Sequence, residues 1–150
     1  GDTSLIGAQE GVLYIEAAAL EDSNTSRAIA LSAANSPANR VVIFYSSTSG
    51  TIQGRVQAST STTIAINGST PSTPLTDFNK IAFKYKSGDL ALWINGTEAA
   101  TSSSAFTFNA ALSELAFDQG NGSIHFEGLV KSLVVFKEAL SDAELTALTS

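Results

Sequence analysis

Cysteine and methionine are absent from these 150 residues, histidine occurs once, at His125, and charged residues make up only 15%. Without cysteine there is no disulfide and no thiolate to serve as nucleophile or metal ligand, and thiol usage says nothing of the redox compartment. A single histidine gives a His-rich zinc site or a Ser-His-Asp triad very little to draw on. Basic residues number 8 against 14 acidic, a net charge of −6. That balance argues against nucleic acid, whose phosphates need a basic face, and against anionic membrane surfaces. No apolar run approaches the roughly 20 residues of a membrane helix, so no membrane insertion is expected. No basic segment followed by an apolar core marks a signal peptide. The length suits one domain, residues 1–150, able to bury roughly two-thirds of its unfolded surface. The absence of methionine even at position 1 suggests a piece of a longer polypeptide.

What is present is strand patterning. In Asp77 to Gly96, DFNKIAFKYKSGDLALWING, Ile81, Phe83 and Tyr85 alternate with Lys80, Ala82, Lys84 and Lys86, the period-2 signature of a strand with two unlike faces. Ser87-Gly88-Asp89 turns the chain, Leu90, Leu92 and Ile94 return, and Asn95-Gly96 supplies a type I′ turn. Further strands are expected at Glu10–Leu20, Arg27–Ala33, Arg40–Ser46, Thr51–Ala58, Thr62–Asn67, Leu115–Asp118 and Ile124–Phe136. Arg40–Ser46, RVVIFYS, is nearly all apolar, as a central strand buried on both faces would be. Ala99–Phe108 reads as irregular, and STPSTPLT, Ser69 to Thr76, as a loop crossing between sheets. Only the C-terminus reads as helix: Ser141 and Glu144 form a capping box, and Leu145 and Leu148 dock it. Roughly ten short strands with regular turns predict an all-β chain, a two-sheet antiparallel β-sandwich or jelly roll with a short C-terminal helix.

Two stretches carry a family likeness. Gly128 to Phe136, GLVKSLVVF, followed by Ala139 to Leu145, ALSDAEL, resembles the closing strand and helix of concanavalin A-like, laminin G-type domains. FNKIAFKYKSGDLALWING resembles the hairpin of the same family, and with EGVLYIEAAAL the likeness spans about Gly11 to Leu148. The phrases EGVLY, FNKIAFKYK and ALSDAELTAL are also similar to lectin-like modules of phage tail fibres. The resemblance implies a jelly roll that commonly binds glycans, sometimes with calcium, in an extracellular or virion setting. It also implies neighbouring domains of a larger, oligomeric appendage protein. One fold hosts many functions, so the site must be argued from its own residues.

The same fold carries glycoside hydrolases, which need paired carboxylates about 5 Å apart. No E-x-D-x-x-E or E-x-D-x-E run occurs; Glu21-Asp22 and Asp142-Ala143-Glu144 fall in a turn and a helix cap. A non-enzymatic binding module is expected, with polysaccharide or cell-surface glycan as partner. Sugar sites want an aromatic platform and planar polar groups. Trp93, on the face opposite Leu92 and Ile94 and so expected on the less buried side, Tyr45 and Tyr14 are the candidate platforms. Arg40, Arg55 and Gln57 are candidate donors, set with the aromatics on one concave sheet, and His125 is a further candidate whose competing reading is a polar residue at the edge of the last strand. The loop rim at residues 35–39 and 118–123 is the other location. For calcium, Asp118 and Asn121 in DQGNG are candidate ligands, needing Glu127 or Asp22 to approach; the competing reading is a turn in which Asp118 caps its own backbone. Lys80, Lys84 and Lys86 either meet an acidic polysaccharide or guard the sheet against edge aggregation.

Overall fold

A computed structural model of the protein describes residues 3–21, 25–34, 36, 38–47, 50–60, 63–68 and 70–150. Among them ten strands run in chain order: β1 (Glu10–Ala19), β2 (Arg27–Ser32), β3 (Arg40–Tyr45), β4 (Ile52–Gln57), β5 (Thr63–Asn67), β6 (Asn79–Lys86), β7 (Leu90–Ile94), β8 (Thr97–Ser102), β9 (Glu114–Ala116) and β10 (Gly128–Phe136). One helix, α1 (Asp142–Thr149), follows. Sheet I has the order β10-β1-β6-β7-β8 and sheet II the order β5-β4-β3-β2-β9. Every pairing is antiparallel. The result is a β-sandwich of two five-stranded sheets with one short C-terminal helix, consistent with a jelly roll.

Side-chain alternation decides what each sheet shows to the other. Leu13 and Ile15 on β1, Ile81, Phe83 and Tyr85 on β6, and Leu90 and Leu92 on β7 form one inner face. Ile29 and Leu31 on β2, Val41, Ile43 and Tyr45 on β3, and Ile52 and Val56 on β4 meet them from sheet II. At Gly54 the sheets touch: a Cβ there would lie 2.6 Å from the Phe83 ring. Glycine at this inner position is what lets the large ring lie flat between the layers, since a packed core has no room to give. β3 is the middle strand of sheet II and buried along its whole length, as its apolar run predicts.

Three expectations change. Of Ala99–Phe108, expected to be irregular, residues 99–102 belong to the edge strand β8, and only 103–108 lack regular structure. β10 begins at Gly128, so Ile124–Glu127 belong to the preceding loop. The lysines of β6 are not solvent gatekeepers but clamps. Lys84, only 5% exposed, bridges Asp89 at 2.8 Å and Asp142, in the first turn of α1, at 3.6 Å. Lys80 donates to the Ser150 carbonyl just past the far end of the helix, and Lys86 pairs with Glu10 at 3.1 Å.

Helix α1 starts where its capping box says it should. The Ser141 N–H donates to Glu144 Oε2 at 2.8 Å, and the Glu144 N–H donates to Ser141 Oγ at 3.4 Å. The Ser141 hydroxyl also donates to Glu144 Oε2, at 2.7 Å, and with the Ser141 N–H it holds the Glu144 carboxyl below its ordinary range. The helix then lays Leu145, fully buried, with Leu140 and Leu148 beside it, over Val12, Tyr14, Ala82, Ala91 and Trp93 on the outer face of sheet I. Removing one leucine-sized side chain from water stabilises by about 1.5–3 kcal/mol. An eight-residue helix is too short to persist alone, so it exists because this face receives it.

Candidate functional site

The expected site residues separate into three groups. Trp93 and Tyr14 lie on the outer face of sheet I beneath α1, at 7% and 5% exposure. The helix covers the side of β7 that alternation alone left open, so Trp93 is not on the less buried side. Burial, with help from the neighbouring Glu16 charge, pushes the Tyr14 hydroxyl pKa up. Tyr45 points inward: it is 1% exposed, packs edge-tilted on Phe126 at 5.6 Å, and burial raises its pKa. None of the three aromatics is a surface platform, and they do not share a face with the arginines.

Arg40, Arg55 and Gln57 do come together, on the outer face of sheet II. In the register, Arg40 stands opposite Gln57 and Val42 opposite Arg55, so the two arginines are diagonal neighbours on one face, about 7–8 Å apart at the backbone. Arg55 lies over the Phe44 ring, its Cζ 3.5 Å from the centroid. Its Nε and Nη2 both donate to Gln53 Oε1, at 3.1 and 2.7 Å. Gln53 in turn donates to Asn67 Oδ1 at 3.1 Å on β5. Gln57 is spent on local bonds, donating to the Ser59 carbonyl at 2.6 Å and accepting from Thr63 at 2.7 Å. Phe44 and Gln53 are thus the residues that the expected set lacks. Their signal is parity: Phe44 lies an even number of residues from Arg40, and Gln53 from Arg55, so each pair shares a face.

Residues 118–124 fold across the other half of this face. Arg40 Nη1 donates to the Gln119 carbonyl at 2.8 Å, and Ile124 packs on Ala28, Ala30, Val42 and Phe44. Ile124 has φ 57°, a strained conformation for a β-branched residue that this packing holds in place. Asp118 Oδ1 accepts from the amides of Gly120 and Gly122, and Asn121 Oδ1 accepts from Ser123 at 2.7 Å. Asp118 therefore caps its own loop. Among the described residues no three His, Asp or Glu side chains gather, and Oδ1 of the one carboxylate in this loop is engaged by its own amides. His125 is exposed, between Ile124 on the outer face and Phe126 in the core. Asp22, Asn35 and Pro37 lie outside the described residues.

Electrostatics single out the arginine pair. Burial, and then the charge of Arg40, lower the Arg55 pKa. Burial lowers that of Arg40, which the Asp118 charge partly offsets. A cleft of about 400 Å³ opens elsewhere, between Leu5, Ile6, Leu115 and Val135 at the seam of the sandwich. The arginine pair lies on the outer surface of sheet II, beside the loop at 118–124.

The molecule is thus a two-sheet sandwich with one outer face sealed by a helix and the other covered by a loop over β2 and β3 but partly exposed at β4 and β5. The chain belongs to the concanavalin A-like lectin/glucanases superfamily, whose profile matches residues 17–146. The CBM40 module of the Ruminococcus gnavus IT-sialidase, solved with α2,3-sialyllactose bound, superposes with a TM-score of 0.74 at 17% identity, over 96% of this chain and 84% of that one. A SAP-like pentraxin from Limulus polyphemus superposes at 0.74 and 14% identity, over 97% and 72%. A leech intramolecular trans-sialidase gives 0.71 and 19%, over 95% of this chain but 23% of the enzyme. At such identities the likeness is one of fold. No curated protein matches the chain.

Proposed function

We propose that the protein is a non-catalytic, lectin-like module that recognises cell-surface or environmental polysaccharide through the outer face of sheet II. The observation that carries this reading is the contrast in covering: one outer face is closed by α1, while the other leaves Gln53, Arg55 and Thr63 at least partly exposed, above a buried Phe44 and beside an ordered loop. Support comes from the fold shared with a carbohydrate-binding module that holds sialyllactose and from the lack of a paired-carboxylate run on any strand. A phage tail fibre or related adhesin, outside the cell, fits the sequence phrasing, and several copies would offset a shallow site through avidity. The test is a thermal-shift screen against glycans including α2,3-sialyllactose. A ligand at 100 times its dissociation constant stabilises by about 2.7 kcal/mol. Stabilisation by one glycan class is the expected result; no shift, together with no retention of a tetramerised form on a glycan array, rejects the reading.

A second reading, a structural or assembly domain of a virion or surface appendage, rests on β10. This edge strand exposes Leu129 at 66% and Val134 at 38%, an apolar edge of the kind that pairs with another chain.

A further inference from the structure

We infer that Arg40 and Arg55 form a subsite for an anionic sugar group, a carboxylate or a sulfate, on the outer face of sheet II; this rests on the carbohydrate-binding reading above. In a chain of net charge −6, cations have no shortage of acidic partners. Arg27, Lys84, Lys86 and Lys131 each reach a carboxylate within 3.6 Å. Arg40 and Arg55, among the described residues, form no ion pair and stand near each other instead.

The surroundings bring no carboxylate into contact with that pair among the described residues, although the charge of Asp118 reaches Arg40. The carboxylate whose charge reaches Arg40 is that of Asp118, and its Oδ1 is taken by the Gly120 and Gly122 amides. Glu114 sits in the same cross-strand row as Arg40, but beyond Ser32, roughly 10 Å away at two strand spacings. Arg40 is 7% exposed, and its buried Nε has no hydrogen-bond partner. A largely desolvated guanidinium with no carboxylate in contact is costly to keep, and an anion held nearby offsets part of that cost through its charge.

Arg55 supplies the accessible half. Phe44 below and Gln53 beside it fix the plane of its guanidinium, while Nη1 has no protein acceptor among the described residues. A fixed planar fork matches a carboxylate or sulfate better than it matches a lone hydroxyl. Less entropy is then lost on binding than with a free side chain. Arg40, more deeply covered and tied to Gln119, adds its charge and positions the loop that borders the subsite.

The experiment uses an array of neutral, carboxylated and sulfated glycans with the tetramerised chain, comparing wild type, Arg55→Gln and Arg55→Lys. The expected result is retention on acidic members over their neutral counterparts, with the carboxylated and sulfated sets deciding which group is read. Losing a hydrogen bond to a charged group lowers affinity by about tenfold to a hundredfold in Arg55→Gln. Arg55→Lys should retain part of the binding, because charge remains while the fork is lost. Added NaCl should weaken wild-type binding, a readout that needs no variant. Equal binding of neutral and acidic glycans, full binding by a folded Arg55→Gln, or indifference to salt overturns the subsite and leaves the lectin reading standing. Retention of no glycan at all overturns both.

Discussion

The two outer faces of this sandwich start from similar material and end in opposite states. Each bears basic residues beside aromatic ones: Lys80 and Lys84 of β6 with Trp93 and Tyr14 on sheet I, Arg40 of β3 and Arg55 of β4 with Phe44 on sheet II. On sheet I the lysines engage α1 or its flanks, and the helix seals Trp93 under Leu145. On sheet II a loop covers only half the surface, and the arginines reach no carboxylate. The difference teaches that an amphipathic face is not a binding face until its neighbours leave it uncovered. Stability resides on the first face, and recognition is proposed for the second.

The largest effect that separates them should come from Leu145→Ala. Truncating this fully buried side chain removes the anchor of α1 and should cost about 2–5 kcal/mol, a drop of roughly 2–4 °C in melting temperature per kcal/mol for a chain of this size. Glycan affinity per folded molecule should be unchanged. Parallel loss of binding at temperatures where the variant remains folded would break the comparison.

Alkaline pH should act next, and only on the sealed side and the interior. Burial raises the pKa of Tyr14, Tyr45 and Tyr85 above their ordinary value of 10.0. For a group with a raised folded pKa, the stabilisation is complete below the unfolded value and is lost as pH climbs past it. Stability should therefore hold to about pH 10 and then fall by up to about 1.4 kcal/mol per pH unit for each buried tyrosine. Absorbance at the phenolate band should rise together with loss of β-sheet circular dichroism. Gradual ionisation without unfolding would mean that these hydroxyls are more open than their burial indicates.

The smallest effect should come from Arg55→Gln on stability. It forfeits a cation–π contact on Phe44, about 0.5–1 kcal/mol at an exposed site, yet it is the substitution expected to cost most in glycan affinity. A melting curve nearly superposable on wild type, beside lost binding, sharpens the division between the faces; a collapse of several kcal/mol would place Arg55 among the structural residues.

The sequence announces most of the scaffold because it depends on local pattern. The FNKIAFKYK and LALWI alternation, the Asn95-Gly96 turn with φ 48° and 80°, and the Ser141–Glu144 box are all where their chemistry puts them. β8 escaped notice because TEAATS has no large apolar residue to mark a face. The coverage of Trp93 could not be read either, since which sheet receives α1 depends on a contact between residues far apart in the chain. Tyr45 was legible in principle: it shares parity with Val41 and Ile43, so it had to face inward with them. The same parity rule places Arg40 and Arg55 on one surface; their lack of acidic neighbours is visible only in three dimensions.

The position of Trp93 has one more consequence. It is the chain's single tryptophan, enclosed beneath the helix with its indole N–H unpaired, on the far side of the molecule from the arginines. Its fluorescence should thus be a built-in, one-residue optical gauge of helix docking. Lifting the helix admits water to the indole and moves the emission to the red, while a sugar settling on sheet II leaves the colour as it was.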